Sequence, residues 1–471
     1  MVPVNLGRVQ LQALSVTSNF LPTSMSESPD NAGALISNLE SLRIPSEFKR
    51  YPDLEDNDIL TTWREEAEQN LLELKAIVNA ATKDGGSTLS RNQKAAVVAT
   101  VAQFDGGPWV SSTSKGVATD ILNHFQGTVT ELLPQILSEH LKPIFRTNPH
   151  PLLHTSTGRK LPRPAGGPLA SSDYYESQSW KDHPGAPNLV SWCVRHIPND
   201  YWDELWHLII PPIMTLLDDY EAKYKVQGAK IVSEMLRTVP RTVLKRTGID
   251  GLLNTSLQTC LAHLQRPESA TLIREAIPAS VSLTTLTTDQ GSQDRFDQLS
   301  ALLGDGIIGG IWLYSSLDLA AVEASVEALP LVIDALGLGC TRFLKALIPQ
   351  LVHPLSQNNT SSVIDFQFHS TRALGHVIDA CAPRMHRWKG SIVDGIGRCW
   401  VATQDGDATN SATVELLRSK LVDVCNKLAQ ACPSVIQEYQ LLYAVEPALF
   451  TDLVGDIIHR SSDAPSVEVP S

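Results

Sequence analysis

The chain has 471 residues, 42% of them apolar and 19% charged, with a formal net charge of −13. That apolar content excludes wholesale disorder, and the acidic balance excludes nucleic acid as the main partner, which would need clustered Lys and Arg. Seven cysteines are scattered from Cys193 to Cys432 with no C-x-x-C pair, which points to buried reduced thiols rather than a disulfide framework or a zinc site. The first residues carry one Arg and no continuous apolar core, so no secretory signal is expected. No apolar run approaches the roughly 18 residues of a membrane helix.

Residues 1–52 mix Ser-, Pro- and Asn-rich pieces and read as a mostly mobile segment, with Leu35, Ile36, Leu39 and Leu42 on one short docking helix. Residues 53–145 read as N-terminal helical repeats. Ile59, Leu60, Trp63, Ala67, Leu71, Leu74 and Val78 recur at helical spacing, and Lys83-Asp84-Gly85-Gly86 stops that helix. Further helices are predicted from about Ser90 to Gln103, near 115–126 and near 128–145. Residues 146–190 hold seven prolines and four glycines in 45 positions and read as a loop. With Arg146, Arg159, Lys160, Arg163, His150 and His154, the loop is either an insertion between repeats or a basic partner-docking segment. Residues 191–288 read as central repeats, 289–306 as a second loop around one short helix, 307–460 as C-terminal repeats and 461–471 as a disordered tail. No alternating run predicts a strand.

The best-formed unit is the stretch from Trp202 to Gly251. Trp202, Leu205, Trp206, Ile209, Ile213, Leu216 and Leu217 give its first helix one apolar face. Pro211 and Pro212 lie inside that helix, and each removes an amide donor and clashes with the preceding turn, so a bend near His207–Ile210 is expected. Asp218 and Asp219 follow where carboxylates suit the start of the next helix, with Lys223 or Lys225 as the expected ion partner. Gly228 on that next helix is expected where two helices come close. Leu132–Leu137, Ile209–Met214 and Leu347–Val352 each carry a proline after two apolar residues. Three such copies in predicted helices argue an all-α fold, an α-solenoid of irregular HEAT/armadillo-like repeats.

Little in the chain points to chemistry. Asp218 and Asp219 are adjacent, so on a helix they diverge by about 100° and do not converge on one atom. Gly304-Asp305-Gly306-Ile307-Ile308-Gly309 matches G-x-G-x-x-G, but a helical pattern precedes it where the dinucleotide fingerprint needs a strand; it reads as a loop turning into a helix. His369, His376 and His386 lack the further ligands of a metal set. Arg384-Met385-His386-Arg387-Trp388-Lys389 is either a grip for phosphate or acidic peptide, or a solvated first turn with one packed Trp. No catalytic, cofactor or metal residue is therefore assigned, and the chain reads as a non-enzymatic scaffold.

Trp180-Lys181, Trp192, the run from Leu208 through Pro211-Pro212 to Leu217-Asp218-Asp219, then Lys225, Gly228 and Leu244-Lys245-Arg246-Thr247-Gly248, together resemble a known family. It is that of the second Tti subunit of the TTT (Tel–Tti–Tti) co-chaperone complex. The resemblance implies a helical solenoid that binds the other Tti subunit and, through it, the Tel subunit. It further implies work with the 90-kDa heat-shock chaperone and its R-T-P adaptor in maturing phosphatidylinositol-3-kinase-like protein kinases, and so a place in target-of-rapamycin signalling, the DNA-damage response and telomere maintenance. A cytoplasmic location, with a nuclear one as the addition, goes with that role; no nucleic acid, membrane or small-molecule substrate does. Another HEAT/armadillo adaptor, such as a transport receptor, is the alternative. Pro211, Pro212, Leu217, Asp218, Asp219, Lys225, Gly228, Arg246, Thr247 and Gly248 are the family-motif residues in which a partner-binding role is expected; Pro211 also marks the general repeat, while Asp218, Asp219 and Arg246-Thr247-Gly248 mark what is particular to this chain.

Overall fold

Every regular element among the described residues of the computed structural model is helical. The structure describes residues 29–50, 58–83, 89–147, 149–165, 174, 178–315, 317–357, 361–404 and 412–462. The mobile stretch expected before residue 29 and nearly all of the expected tail lie outside them.

Helix α1 (Pro29–Ser41) buries Leu35 and leads through Leu42 to a short 3-10 turn, Ser46–Arg50. That turn is part of the core, which corrects the reading of this region as loose chain. Phe48 is buried and meets the rings of Trp63 and Trp109 edge-on at 5.6 and 5.9 Å. Helix α2 (Asp58–Lys83) buries Leu60, Ala67, Leu71, Leu74 and Val78. Ile59, expected on the same face, is 75% exposed, because it sits about 100° round the helix from Leu60. Helix α3 (Arg91–Val101) starts at a reciprocal Ser90–Gln93 capping box, and α4 (Ser112–Asn123) starts at a similar Ser111–Ser114 pair. Helix α5 (Val129–Gln135) widens into a π-helical stretch, Ile136–Leu141, two residues after Pro134, then continues as Lys142–Phe145.

From α6 (Ala186–His196) onward the chain alternates between two stacked rows. The first row holds α7 (Trp202–Leu217), α10 (Ile249–Leu261), the π-helix Leu302–Trp312, α14 (Leu344–Val352), α16 (Lys389–Gln404) and α18 (Ile436–Val445). The second holds α6, α8 (Ala222–Met235), α11 (Ser269–Thr287), α13 (Leu319–Leu336), α15 (Ser361–Ala380) and α17 (Ala412–Ala431), each packed on the next. Successive helices pair across the rows, α7 with α8 and α10 with α11, and bury their apolar faces between them. A short helix, α9 (Arg241–Thr247), joins α8 to α10. This is an all-α solenoid. The repeated proline motif falls in α5, α7 and α14, so Pro211 and Pro349 occupy first-row helices, and α5 leads into the π-helical stretch on which α7 stacks. α7 and α14 run unbroken through their prolines.

The segment 289–306 is corrected by the structure. It is helical from α12 (Gln293–Ala301) straight into the π-helix, so the G-x-G-x-x-G match is not a loop turning into a helix. The glycines serve the wide turn: a Cβ on Gly309 would stand 3.0 Å from the carbonyl oxygen of Gly304, five residues back.

All seven cysteines are free and buried. Burial pushes the thiols of Cys260, Cys340, Cys399 and Cys425 up to about 12, which leaves them protonated and unreactive at neutral pH.

Candidate functional site

The first helix of the central unit ends at Leu217, which is wholly buried, and Asp218 caps its C-terminus. The chain then reverses through Asp219, Tyr220 and Glu221 into α8. Gly228 is what lets α8 lie directly on the end of α7. A Cβ there would stand 2.5 Å from the amide nitrogen and 2.6 Å from the Cα of Leu217, both backbone atoms. Lys225, buried one turn earlier on α8, donates its ammonium to the Leu217 carbonyl at 3.0 Å. That carbonyl belongs to the last turn of α7 and has lost its helical donor, so the cation also meets the negative end of the helix dipole.

The aspartates do not cap α8 as the spacing suggested, and their partners are neither Lys223 nor Lys225. Asp218 lies 3.0 Å through Oδ2 from Nε2 of His150, a buried residue of the Pro-rich segment. His150 Nδ1 accepts the Leu152 amide at 3.3 Å, which places the ring hydrogen on Nε2, toward the carboxylate. Asp219 is fully buried. It accepts the Glu221 amide at 2.8 Å, and Lys181 Nζ lies 3.1 Å from each of its oxygens. Burial raises the Asp219 carboxyl above its ordinary value, against the pull of the Glu221 amide and Lys181. Lys181 also binds Glu221 at 2.6 Å, and Lys223 binds it at 2.9 Å. Burial works against the Glu221 carboxylate too, but these two ammonium groups together hold its pKa below the ordinary value. The rings of Tyr220, Tyr224 and Trp180 surround Lys181, with centroids 4.1, 4.9 and 5.6 Å from Nζ.

The Arg246-Thr247-Gly248 group stands at the other end of α7. Arg246 pairs with Asp203 on the exposed first turn. Thr247 is buried and turns its hydroxyl back to the Val243 carbonyl at 2.8 Å. Gly248 has φ +71° and serves both to end α9 and to start α10.

One segment joins these two ends. Described residues 149–165 lie along α7 as a strap. An antiparallel bridge joins Leu153 to Lys160, the Lys160 amide donates to the Thr247 carbonyl at 3.0 Å, and Trp206 Nε1 donates to the Gly158 carbonyl at 3.0 Å. Gly158 has φ +62°, and a Cβ there would stand 2.7 Å from Ile210 Cγ2. His150, Lys160 and Lys181 thus gather Asp218, Asp219 and Thr247 into one clamp. Sequence reasoning missed these residues as a set, although His150 and Lys160 were visible in the loop and Lys181 beside Trp180. Gly158→Val is expected to cost about 1–3 kcal/mol through left-handed strain and overpacking. Hydrogen exchange of residues 150–161 should speed up with it, and unchanged exchange would mean that the strap holds without Gly158.

Elsewhere the candidate groups are engaged separately. His376 bonds Asp334 at 2.7 Å, and Lys389 of the basic segment pairs with Glu438 at 2.7 Å while Met385 is buried. Among the described residues no group of three or more His, Cys, Asp or Glu is placed to hold a metal ion, and no helix is long and apolar enough to cross a membrane.

Residues 97–361, more than half of the chain, match the Tti2 family model. The chain is 24% identical over 95 residues to TELO2-interacting protein 2 of Mus musculus, an alignment covering 20% of this chain and 18% of the mouse protein. The Rattus norvegicus protein of that name aligns with the same identity and coverage. The match thus spans less than a fifth of these curated relatives. Among solved structures, a Kap121p mutant superposes with a TM-score of 0.50 at 13% identity, covering 90% of this chain and 38% of that one. Kap121p bound to Pho4p gives 0.42 at 11% identity, covering 90% and 43%. At 13% identity the first of these likenesses speaks to fold alone.

Proposed function

We propose that this chain, which belongs to the Tti2 family, is a non-enzymatic scaffold subunit of the TTT complex. Its direct partner is the other Tti subunit, and the Tel subunit joins through that contact. The assembly then serves the 90-kDa heat-shock chaperone and its R-T-P adaptor in maturing phosphatidylinositol-3-kinase-like kinases, in the cytoplasm and also in the nucleus. The match over residues 97–361 carries this reading, because it takes in the strap, the α7–α8 turn and the Arg246-Thr247-Gly248 group together. A second observation agrees with a protein-binding role. Leu313, Tyr314 and Leu317 are 64%, 67% and 100% exposed within five residues, an apolar cluster of the kind found at protein contacts. The likeness to Kap121p does not favour a transport receptor, since it rests on fold.

Reconstitution tests the proposal. The purified chain mixed with the other Tti subunit and the Tel subunit should elute as one ternary species in mild buffer. Elution of this chain by itself, with the other two still joined, would remove it from the complex.

A further inference from the structure

We infer that the pocket between the strap and the proline turn of α7 receives an apolar side chain from an acidic segment of a partner protein. Phe145, Leu153, Leu208, Pro211 and Pro212 make its apolar walls, and it encloses about 90 Å³. Small-molecule sites run to several hundred Å³, and an apolar cavity of about 150 Å³ takes a benzene. This space suits one aliphatic side chain.

Pro211 and Pro212 lack an amide hydrogen and, with His207 and Leu208 from the preceding turn, form the wall of the pocket on α7.

The rim decides the charge of the partner. Lys142 and Arg146, one helical turn apart and both exposed, line the mouth. No acid among the described residues pairs with either, on a chain whose net charge is −13. A basic segment would be repelled at this mouth, and an acidic one gains from it. The inference does not depend on the TTT assignment: reconstitution and peptide binding can each succeed while the other fails.

The test uses the full chain and a fluorescein-labelled heptapeptide with leucine at its centre and glutamate at the other six positions, read by fluorescence anisotropy. Saturable binding is expected. Alanine for the central leucine should weaken it at least tenfold, and so should the double substitution Lys142→Glu, Arg146→Glu. Both substitutions lie on the surface and leave the core intact. Thr155→Trp, which fills the mouth without changing charge, should also block the peptide. Absence of saturable binding would overturn the inference, as would equal binding by the alanine peptide or by the charge-reversed chain. Concentration-dependent dimerisation that disappears in the charge-reversed chain would assign the pocket to a second copy and overturn it as well.

Discussion

Gly228→Leu is expected to cost about 3 kcal/mol or more, at or above the upper end of ordinary overpacking. A new side chain usually finds relief by pushing a flexible neighbour aside. Here the neighbours are the nitrogen and Cα of Leu217 and the carbonyl carbon of Leu216, 2.5, 2.6 and 2.9 Å from where the Cβ would be. Backbone cannot change rotamer, so α8 must move off α7. That movement also draws Lys225 from the Leu217 carbonyl and leaves a buried ammonium without its acceptor. Even Gly228→Ala should lose most of this stability. Urea unfolding followed by circular dichroism gives the loss, and hydrogen exchange in α8 locates it. An unchanged midpoint would show that the two helices part without cost.

Lys181→Met should cost about 3 kcal/mol at neutral pH. Removing one member of a buried pair strands the other, and the usual cost is about 3–5 kcal/mol. The lower figure applies because Glu221 keeps Lys223 and Asp219 keeps the Glu221 amide. The loss should shrink on acidification. The folded pKa of Asp219 is raised, so its ionised form is a burden to the fold that disappears as pH falls through that value. Without Lys181 the burden is larger, and protonation removes it from both proteins. Parallel urea titrations at pH 7 and pH 4 check this, and a loss of equal size at both would exclude Asp219 as the stranded partner.

Much of the fold is legible because helical packing writes itself into local spacing. The apolar face of α7, the close approach at Gly228 and the proline motif could all be read within a few turns of chain. The partners of the aspartates could not. Asp218 meets a histidine 68 residues upstream and Asp219 a lysine 38 residues upstream, while the nearer Lys223 and Lys225 offered themselves at plausible spacing. Lys225 turned out to face inward, toward a carbonyl, and Lys223 to serve Glu221. The Pro-rich segment was harder still. Its described residues 149–165 are held by hydrogen bonds to α7, to the turn after it and to α9, all of them later in the chain, not by any period of their own. Ile59 shows the limit on a smaller scale, since one residue of misplacement turns an apolar side chain from core to solvent.

A stack of helix pairs, each touching only its neighbours, behaves as a spring whose coils flex independently. Residues 149–165 are fastened to both ends of α7 and to the junction after α9, so they bridge more than one coil. That fastening is expected to stiffen the middle of the spring relative to the coils from α13 to α18, which the described strap does not reach. A load applied at the C-terminal end would be taken up as curvature there, and the α7–α8 turn would keep its shape.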